Sequence, residues 1–167
     1  DGYYREYHKD SHLFVECSYI DGEISGEWKK YFDSGKVEWL VTYLDGYREG
    51  KYQQFYDNGQ LKVDGQMDDD KKNGQERRYF ENGQLEWEGR YYKGEFDKNW
   101  MQFDGSGSTL AKVKFNQGKP ESDLNEINLI PTDVLDGLLE KVPVYPGCEN
   151  GLTNRIRRQC MSSYISS

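Results

Sequence analysis

The stretch GQERRYFENGQLEWEGRYYKGEFD, residues 74–97, carries a pattern that the chain repeats every 24 residues. Two stretches before it keep the same phase: GEWKKYFDSGKVEWLVTYLDGYRE at 26–49 and GKYQQFYDNGQLKVDGQMDDDKKN at 50–73. Residues 2–25 and 98–121 are less regular but in register, as expected of units that cap an array. The sequence therefore predicts five tandem units of 24 residues.

Each unit contains two strand patterns separated by a turn. Ser34-Gly35 interrupts the first pattern in one unit, and Asn58-Gly59 and Asn82-Gly83 take the same place in the next two. Asn-Gly favours a two-residue type I′ turn, since both central residues then need a positive φ. The second pattern, residues 37–44, alternates between apolar and polar positions. We expect an all-β fold, a single antiparallel meander sheet of tandem hairpins.

A two-residue turn places position 32 opposite 37 and position 28 opposite 41, which assigns side chains to the two faces of the sheet. One face is predicted to carry Trp28, Phe32, Val37, Trp39, Val41 and Tyr43. The other face is predicted to carry an aromatic ladder flanked by charge, one ring per unit: Tyr7, Tyr31, Phe55, Tyr79 and Phe103. Such a row suits contact with a protein, peptide or glycan. The alternatives are a structural role as cross-strand pairs and binding of a partner strand at a sheet edge.

Composition and charge exclude several classes of protein. The 167 residues carry a formal net charge of -8, whereas proteins that bind nucleic-acid backbones need a basic surface. Aromatic residues reach 15 %, which argues against disorder. No apolar run approaches the roughly 20 residues that cross a bilayer. We expect no nucleic-acid partner and no transmembrane segment in this chain, with any targeting segment missing from it.

No catalytic or metal-binding motif is present, so we expect neither an enzyme nor a cofactor. The residues 105–107, Gly-Ser-Gly, occupy the turn position of the repeat, and the three aspartates 68–70 read as a solvated acidic turn. His8 and His12 read as exposed turn residues, because a metal site needs further ligands at suitable spacing. Cys17 reads as a small buried apolar side chain.

The string G-x-W-x-x-Y-F/Y-x-N/S-G-K/Q-L/V followed by Y-x-x-G resembles the MORN repeat. It is closest to the longer bacterial variant labelled YwqK-like antitoxin. The resemblance covers residues 2 to about 121. It implies a ribbon-like meander of hairpins and a role in protein interaction or as a membrane-proximal scaffold.

A second resemblance lies near the end of the chain. VPVYPGCENGLTNRIRRQC at 142–160 is similar to the start of the TonB C-terminal domain of the Bacteroidota, which implies an extracytoplasmic setting. We predict a repeat array at 1–121, a connector with a short helix at 122–141 and a helix-containing tail at 142–167. Cys148 and Cys160 are candidates for a disulfide in an oxidising compartment, and two reduced thiols are the alternative in the cytosol.

The predicted function is that of a non-catalytic protein–protein interaction or scaffold module of the bacterial cell envelope, in the periplasm or at the outer membrane. The alternative is an immunity-type antitoxin that binds and blocks a partner toxin, which would be cytoplasmic. The predicted partners are proteins in both cases.

Overall fold

The computed structural model describes residues 1–121, and within them the protein is all-β, with no helix. The predicted connector and tail helices, together with Cys148 and Cys160, lie outside the described residues. The strands are β1 (Gly2–Tyr7), β2 (Leu13–Ile20), β3 (Glu23–Ile24), β4 (Gly26–Tyr31), β5 (Val37–Leu44), β6 (Tyr47–Phe55), β7 (Leu61–Asp68), β8 (Lys71–Lys72), β9 (Gly74–Tyr79), β10 (Leu85–Tyr92), β11 (Glu95–Phe103), β12 (Thr109–Asn116) and β13 (Lys119–Pro120).

All 13 strands form one antiparallel sheet whose main path follows chain order: β1-β2-β4-β5-β6-β7-β9-β10-β11-β12-β13. The short strands β3 and β8 pair with β2 and β7 beside this path. Hairpins β1/β2, β4/β5, β6/β7, β9/β10 and β11/β12 follow one another along the chain. The predicted all-β antiparallel meander is therefore confirmed.

The turns inside the hairpins differ from the predicted two-residue type I′ turns. The amide of Phe32 donates to the carbonyl of Lys36, and Gly35 donates back to Phe32, so three residues form the turn. Of those three, only Gly35 has a positive φ, at 80°. This is a type I turn followed by a left-handed glycine. Tyr56 and Gly59 repeat the same hydrogen bonds in the next hairpin.

Two-residue turns with positive φ at both central positions occur instead between successive units. Asp45 has φ of 48° and Gly46 of 80°, and Lys93-Gly94 has 51° and 91°. These turns match the type I′ geometry, whose twist suits tightly connected strands. The two kinds of turn therefore lie at opposite ends of the strands.

A β-bulge beside each three-residue turn changes the predicted register. Trp28 pairs with Val41 as expected, but the register then shifts. Val37, which was predicted to pair with Phe32, pairs with Tyr31. The extra residue is Glu38. Val37 therefore shares a face with Tyr31 and not with Trp28, which corrects the predicted assignment of Val37. Every one of the five hairpins has this shift at the same position.

The core lies on one face of the sheet, here named the core face. Its buried side chains are Val15, Cys17, Trp28, Val41, Tyr43, Tyr52, Val63, Glu76, Trp87, Tyr91, Trp100, Val113 and Phe115. Two glycines on this face make room for rings of the neighbouring strand. A Cβ on Gly89 would lie 2.1 Å from the Trp100 ring, and one on Gly65 would lie 2.5 Å from the Tyr52 ring. Large and small residues thus interlock across paired strands.

Candidate functional site

The predicted aromatic ladder lies on the face opposite the core face, here named the ladder face. Trp28 is buried on the core face, so strand alternation places Lys29 and Tyr31 on the ladder face. Each ladder residue sits at the bulge and pairs across its hairpin with a fixed partner. The pairs, here named the paired row, are Tyr7–Leu13, Tyr31–Val37, Phe55–Leu61, Tyr79–Leu85 and Phe103–Thr109.

The rings of the paired row are integrated into the sheet to different degrees. Tyr31, Phe55, Tyr79 and Phe103 are half-buried, whereas Tyr7 is exposed. The Tyr31 hydroxyl donates to Glu16 Oε1 at 2.6 Å, a contact with the preceding unit. Burial raises the pKa of Tyr31, and this hydrogen bond raises it further. The paired row therefore links neighbouring units as well as forming a surface.

A charged row runs beside the paired row on the same face. Arg77 Nε lies 3.6 Å from Glu88 Oε2 and pairs in register with Asp64 of the preceding unit. The Asp64 carboxylate also forms an ion pair with Lys51, whose Nζ lies 3.1 Å from Asp64 Oδ1. A small open groove is lined by residues of two units: Lys51, Asp64, Gly65, Gln66, Gln75 and Arg77. Charges of both signs therefore alternate from strand to strand.

A second apolar row lies near the type I′ turns, and the sequence reasoning missed it. Its members, here named the turn row, are Ile20, Leu44, Tyr47 and Tyr92. They remain between 46 % and 56 % exposed, and Leu44 pairs directly with Tyr47. Alternation places Leu44 on the ladder face, since the preceding residue, Tyr43, is buried in the core. An apolar residue just before each of three type I′ turns was the available sequence signal.

Glu76 breaks the repeat on the core face and was not among the candidates predicted from the sequence. It occupies the position that Trp28, Tyr52 and Trp100 hold in other units, and it is 1 % exposed. Its Oε2 lies 2.5 Å from Lys72 Nζ and accepts a hydrogen bond from the Tyr52 hydroxyl. Its Oε1 accepts from Arg78 Nε at 2.9 Å. A glutamate at an aromatic position of the repeat was the signal that could have identified it.

The charges around Glu76 decide its ionisation. Burial alone would raise the pKa of the carboxyl, but Lys72 and Arg78 and the surrounding hydrogen bonds hold that pKa below its usual range. Burial and the adjacent carboxylate raise the pKa of Tyr52, which stays a hydrogen-bond donor. Both oxygens of Glu76 are engaged by protein groups. The arrangement is a structural ion-pair cluster that joins the units of Tyr52 and Glu76.

The other predicted candidates lie in turns or in the core. His8 and His12 close the first turn through a backbone hydrogen bond, and each faces an aspartate. Asp70 accepts from Arg48 at 2.8 Å in the acidic turn. Cys17 is buried, which raises the pKa of its thiol. Within residues 1–121, no group of acidic, histidine or cysteine side chains has the arrangement of a metal site.

Comparison with known proteins gives a family for part of the chain. No curated protein matches it. One similar solved structure is titled "Crystal structure of accessory secretory protein 1,2 and 3 in Streptococcus pneumoniae", with 18 % identity and a TM-score of 0.26. That likeness covers 65 % of this chain and 18 % of the other, so this chain spans less than a fifth of that protein.

The family described as MORN repeat variant matches residues 24–45, 48–69 and 72–93. MORN repeats are generally involved in interactions with proteins or membranes. No helix in the described part of the chain has the length and apolar character needed to span a membrane. The outermost two of the five predicted units lie mostly outside the matched residues and stay a prediction. Three successive segments of the chain are thus similar to the MORN repeat variant.

Proposed function

We propose that the protein is a non-catalytic interaction module whose ladder face binds a partner protein. The observation that carries this proposal is the turn row, in which Ile20, Leu44, Tyr47 and Tyr92 stay about half exposed on one face. Aligned apolar side chains on a protein surface mark interaction sites more often than scattered ones do. The general association of MORN repeats with protein or membrane interactions supports the same reading.

The layout of the ladder face suits a protein interface. The paired row and the turn row lie on either side of the charged row. Strands lie about 4.8 Å apart, so each two-strand unit advances the pattern by roughly 10 Å. Aromatic and apolar side chains supply most of the binding free energy in such interfaces, and surrounding charges orient the partner. An elongated partner surface would meet the paired row in every hairpin and an apolar turn-row residue before three of the type I′ turns.

The buried charges favour binding over catalysis. Glu76 is the most buried ionisable group described, and Lys72, Arg78 and Tyr52 occupy both of its oxygens. A general acid or base must reach a proton of a bound substrate, which a carboxylate so enclosed does not do. The cluster holds two units together and leaves binding to the exposed face.

The cellular setting is also part of the proposal. We place the module in the cell envelope of a bacterium, because residues 142–160 resemble a periplasmic TonB segment. The alternative is an immunity-type antitoxin that uses the same face against a toxin in the cytoplasm. The compartment and identity of the partner distinguish these two roles.

A quantitative pull-down with matched variants tests the binding face. The first variant carries Leu44→Ser, Tyr47→Ser and Tyr92→Ser in the turn row. The second carries Phe55→Ala and Tyr79→Ala in the paired row. Leu110→Ser is the control, because Leu110 is 47 % exposed and lies outside both rows. Surface substitutions of this kind change stability by less than about 0.5 kcal/mol each, so the first variant and the control should stay folded.

We expect the wild type and Leu110→Ser to capture the same partner in similar amounts. The turn-row variant should capture at least about tenfold less of it than the wild type does. Envelope and cytosolic extracts are compared separately. A partner from the envelope supports the scaffold role, whereas a toxin from the cytosol supports the antitoxin role. Equal recovery by the wild type and both row variants, each confirmed as folded by circular dichroism, would refute the proposed binding face.

A further inference from the structure

The paired row forms a repeated series of apolar positions on the ladder face. In the strand order, an aliphatic residue lies between two aromatic residues at four successive places. The aliphatic residues, here named the slots, are Leu13, Val37, Leu61 and Leu85, and the aromatic residues beside them are Tyr7, Tyr31, Phe55, Tyr79 and Phe103. All four aliphatic residues are half-buried, so part of each remains in contact with solvent. The slots therefore offer apolar surface once in each two-strand unit.

The spacing of the slots restricts the conformation of a chain that could fill them. Strands lie about 4.8 Å apart, so successive slots are about 9.6 Å apart and the four slots span about 29 Å. In a polyproline II helix every third residue returns to the same side after about 9.3 Å, which leaves an offset of about 1 Å over four slots. A segment in this conformation can therefore place one residue in every slot.

The other regular conformations match the slots less well. An α-helix presents every seventh residue on one side after about 10.5 Å, so its offset grows to about 3 Å over four slots. Three residues of a β-strand span about 10 Å, but successive third residues point to opposite sides, so a strand would fill only every second slot. A strand lying on the face of the sheet would also leave its own backbone unpaired, whereas the polyproline II backbone is solvated.

The charged row beside the slots favours an acidic ligand. In the ion pair of Lys51 with Asp64, the lysine side chain is 56 % exposed and the aspartate 32 %. In the pair of Arg77 with Glu88, the arginine is 46 % exposed and the glutamate 23 %. In both pairs the cation is thus the more exposed partner. Arg77 precedes Tyr79 by two residues on strand β9, which places it about 7 Å from the paired row, within reach of a ligand carboxylate beside a slot.

We propose that the paired row binds a proline-rich segment of a partner protein in the polyproline II conformation, with one proline in each slot and acidic residues facing the charged row. The inference rests on the proposed function in taking the ladder face as the surface that binds a protein, and it names the chemistry of the bound segment. Surfaces lined by aromatic residues bind such segments because the preformed helix loses little conformational entropy. The Tyr31 hydroxyl already donates to Glu16, so this ring offers apolar surface to a proline.

The test measures the fluorescence anisotropy of three labelled peptides on titration with the whole chain. The acidic proline peptide has four Pro-Pro-Glu triplets, the basic proline peptide has four Pro-Pro-Lys triplets, and the flexible acidic peptide has four Gly-Ser-Glu triplets. We expect saturable binding of the first, at least about fivefold weaker binding of the second and no saturable binding of the third. The net charge of the chain is -8, so the titration is run at about 0.15 M salt, which screens charges beyond about 8 Å.

Three protein variants define the site. The double variant Phe55→Leu, Tyr79→Leu keeps apolar side chains but removes two rings, and it should bind the acidic proline peptide at least about fivefold more weakly. Arg77→Gln should reduce the preference for the acidic over the basic proline peptide. Arg90→Gln is the matched control, because Arg90 is the same residue type, is 58 % exposed and lies farther from the paired row, so peptide affinity should stay unchanged. Circular dichroism checks that each variant is folded.

Absence of saturable binding of the acidic proline peptide, equal affinity for the flexible acidic peptide, or full affinity in the folded double variant would each overturn the inference. The turn-row variant is titrated in the same way and should bind the acidic proline peptide like the wild type. If no proline peptide binds but the turn-row variant still loses its partner in the pull-down, the polyproline inference fails and the proposed binding face stands. Failure of the inference and failure of the proposed function are therefore separate results.

Discussion

Glu76 shows how one residue can change the physics of a repeated position. Trp28, Tyr52 and Trp100 fill this position with rings that bury apolar surface. A carboxylate at the same depth loses its hydration and is tolerated only with charged partners and hydrogen bonds. Lys72 and Arg78 supply the charges at 2.5 Å and 2.9 Å. The position has changed from apolar packing to an ion-pair cluster without a change in the backbone pattern.

Replacement of Glu76 by Gln should lower the free energy of unfolding at pH 7 by about 3–5 kcal/mol, because two partly buried cations, Lys72 and Arg78, lose the buried carboxylate that pairs with them. The folded-state pKa of Glu76 lies below its ordinary value, so its contribution is complete above the ordinary glutamate pKa and is lost as the pH falls through the folded-state value. The difference between wild type and variant should therefore shrink in acid. Urea unfolding followed by tryptophan fluorescence at pH 7 and pH 3 measures it.

Glu88→Gln is the control for this prediction, since Glu88 forms a partly exposed pair with Arg77. Pairs of this kind contribute about 0–1 kcal/mol. An unfolding difference for Glu76→Gln that stays constant between pH 7 and pH 3, or that is no larger than for Glu88→Gln, would contradict the assigned role of the cluster.

The sequence predicted the residues of the ladder but not Glu76 or the turn row. Periodicity places Tyr31 and Tyr79 on one face because alternation in a strand is local. The pairing of Glu76 with Lys72 and Arg78 depends on which side chains of adjacent strands converge. In the sequence each charge has the pattern of a surface charge, and the burial that distinguishes Glu76 is a property of the packed sheet.

Within the hairpins, the sequence predicted the position of each turn but not its type. Asn58-Gly59 and its equivalents mark turns, as expected. Asn58 Oδ1 accepts from the Gln60 amide at 2.8 Å, which supports a three-residue turn in which only Gly59 is left-handed. The bulge that accompanies this turn moves Val37 to the ladder face. A single residue in the turn therefore changes which side chains share a face.

Lys98, in strand β11, has a positive φ at a position where other units of the array have glycine. The equivalent residues Gly26, Gly50 and Gly74 have φ between 85° and 101°, and Lys98 has φ of 59°. A side chain with a Cβ is strained in this region, so Lys98→Gly should stabilise the protein by about 0.5–1 kcal/mol, after the larger chain entropy of unfolded glycine is subtracted. Urea unfolding at pH 7 measures the change.

Lys98→Ala separates backbone strain from loss of the lysine side chain. Alanine keeps the Cβ and the strain, so this variant should show no comparable gain in stability. Equal stabilisation by Gly and Ala would show that removal of the lysine, and not relief of the left-handed backbone, is responsible.

Across the whole array, the junctions between units alternate between two kinds. In the junction of β5 with β6, Val41 pairs with Tyr52, and strand β6 is continuous. In the junctions of β2 with β4 and of β7 with β9, the incoming strand is interrupted at Ser25 and Asn73. At each interrupted junction a tyrosine hydroxyl reaches a glutamate across the junction, Tyr31 to Glu16 and Tyr52 to Glu76. Side chains therefore reinforce the sheet where backbone pairing is interrupted.

This arrangement predicts that Glu76→Gln loosens one junction and not the other. The Asn73 amide donates to Gln66 at the junction that contains Glu76, and the Ser25 amide donates to Ser18 at the equivalent place two repeats earlier. Because repeat arrays are held by contacts between neighbours, opening can occur locally. Native-state hydrogen exchange should show faster exchange of the Asn73 amide in the variant, with the Ser25 amide unchanged. Equal acceleration at both amides would mean that the variant weakens the sheet as a whole. Glu76 would then not be a local contact that stabilises the junction between the units of Tyr52 and Glu76.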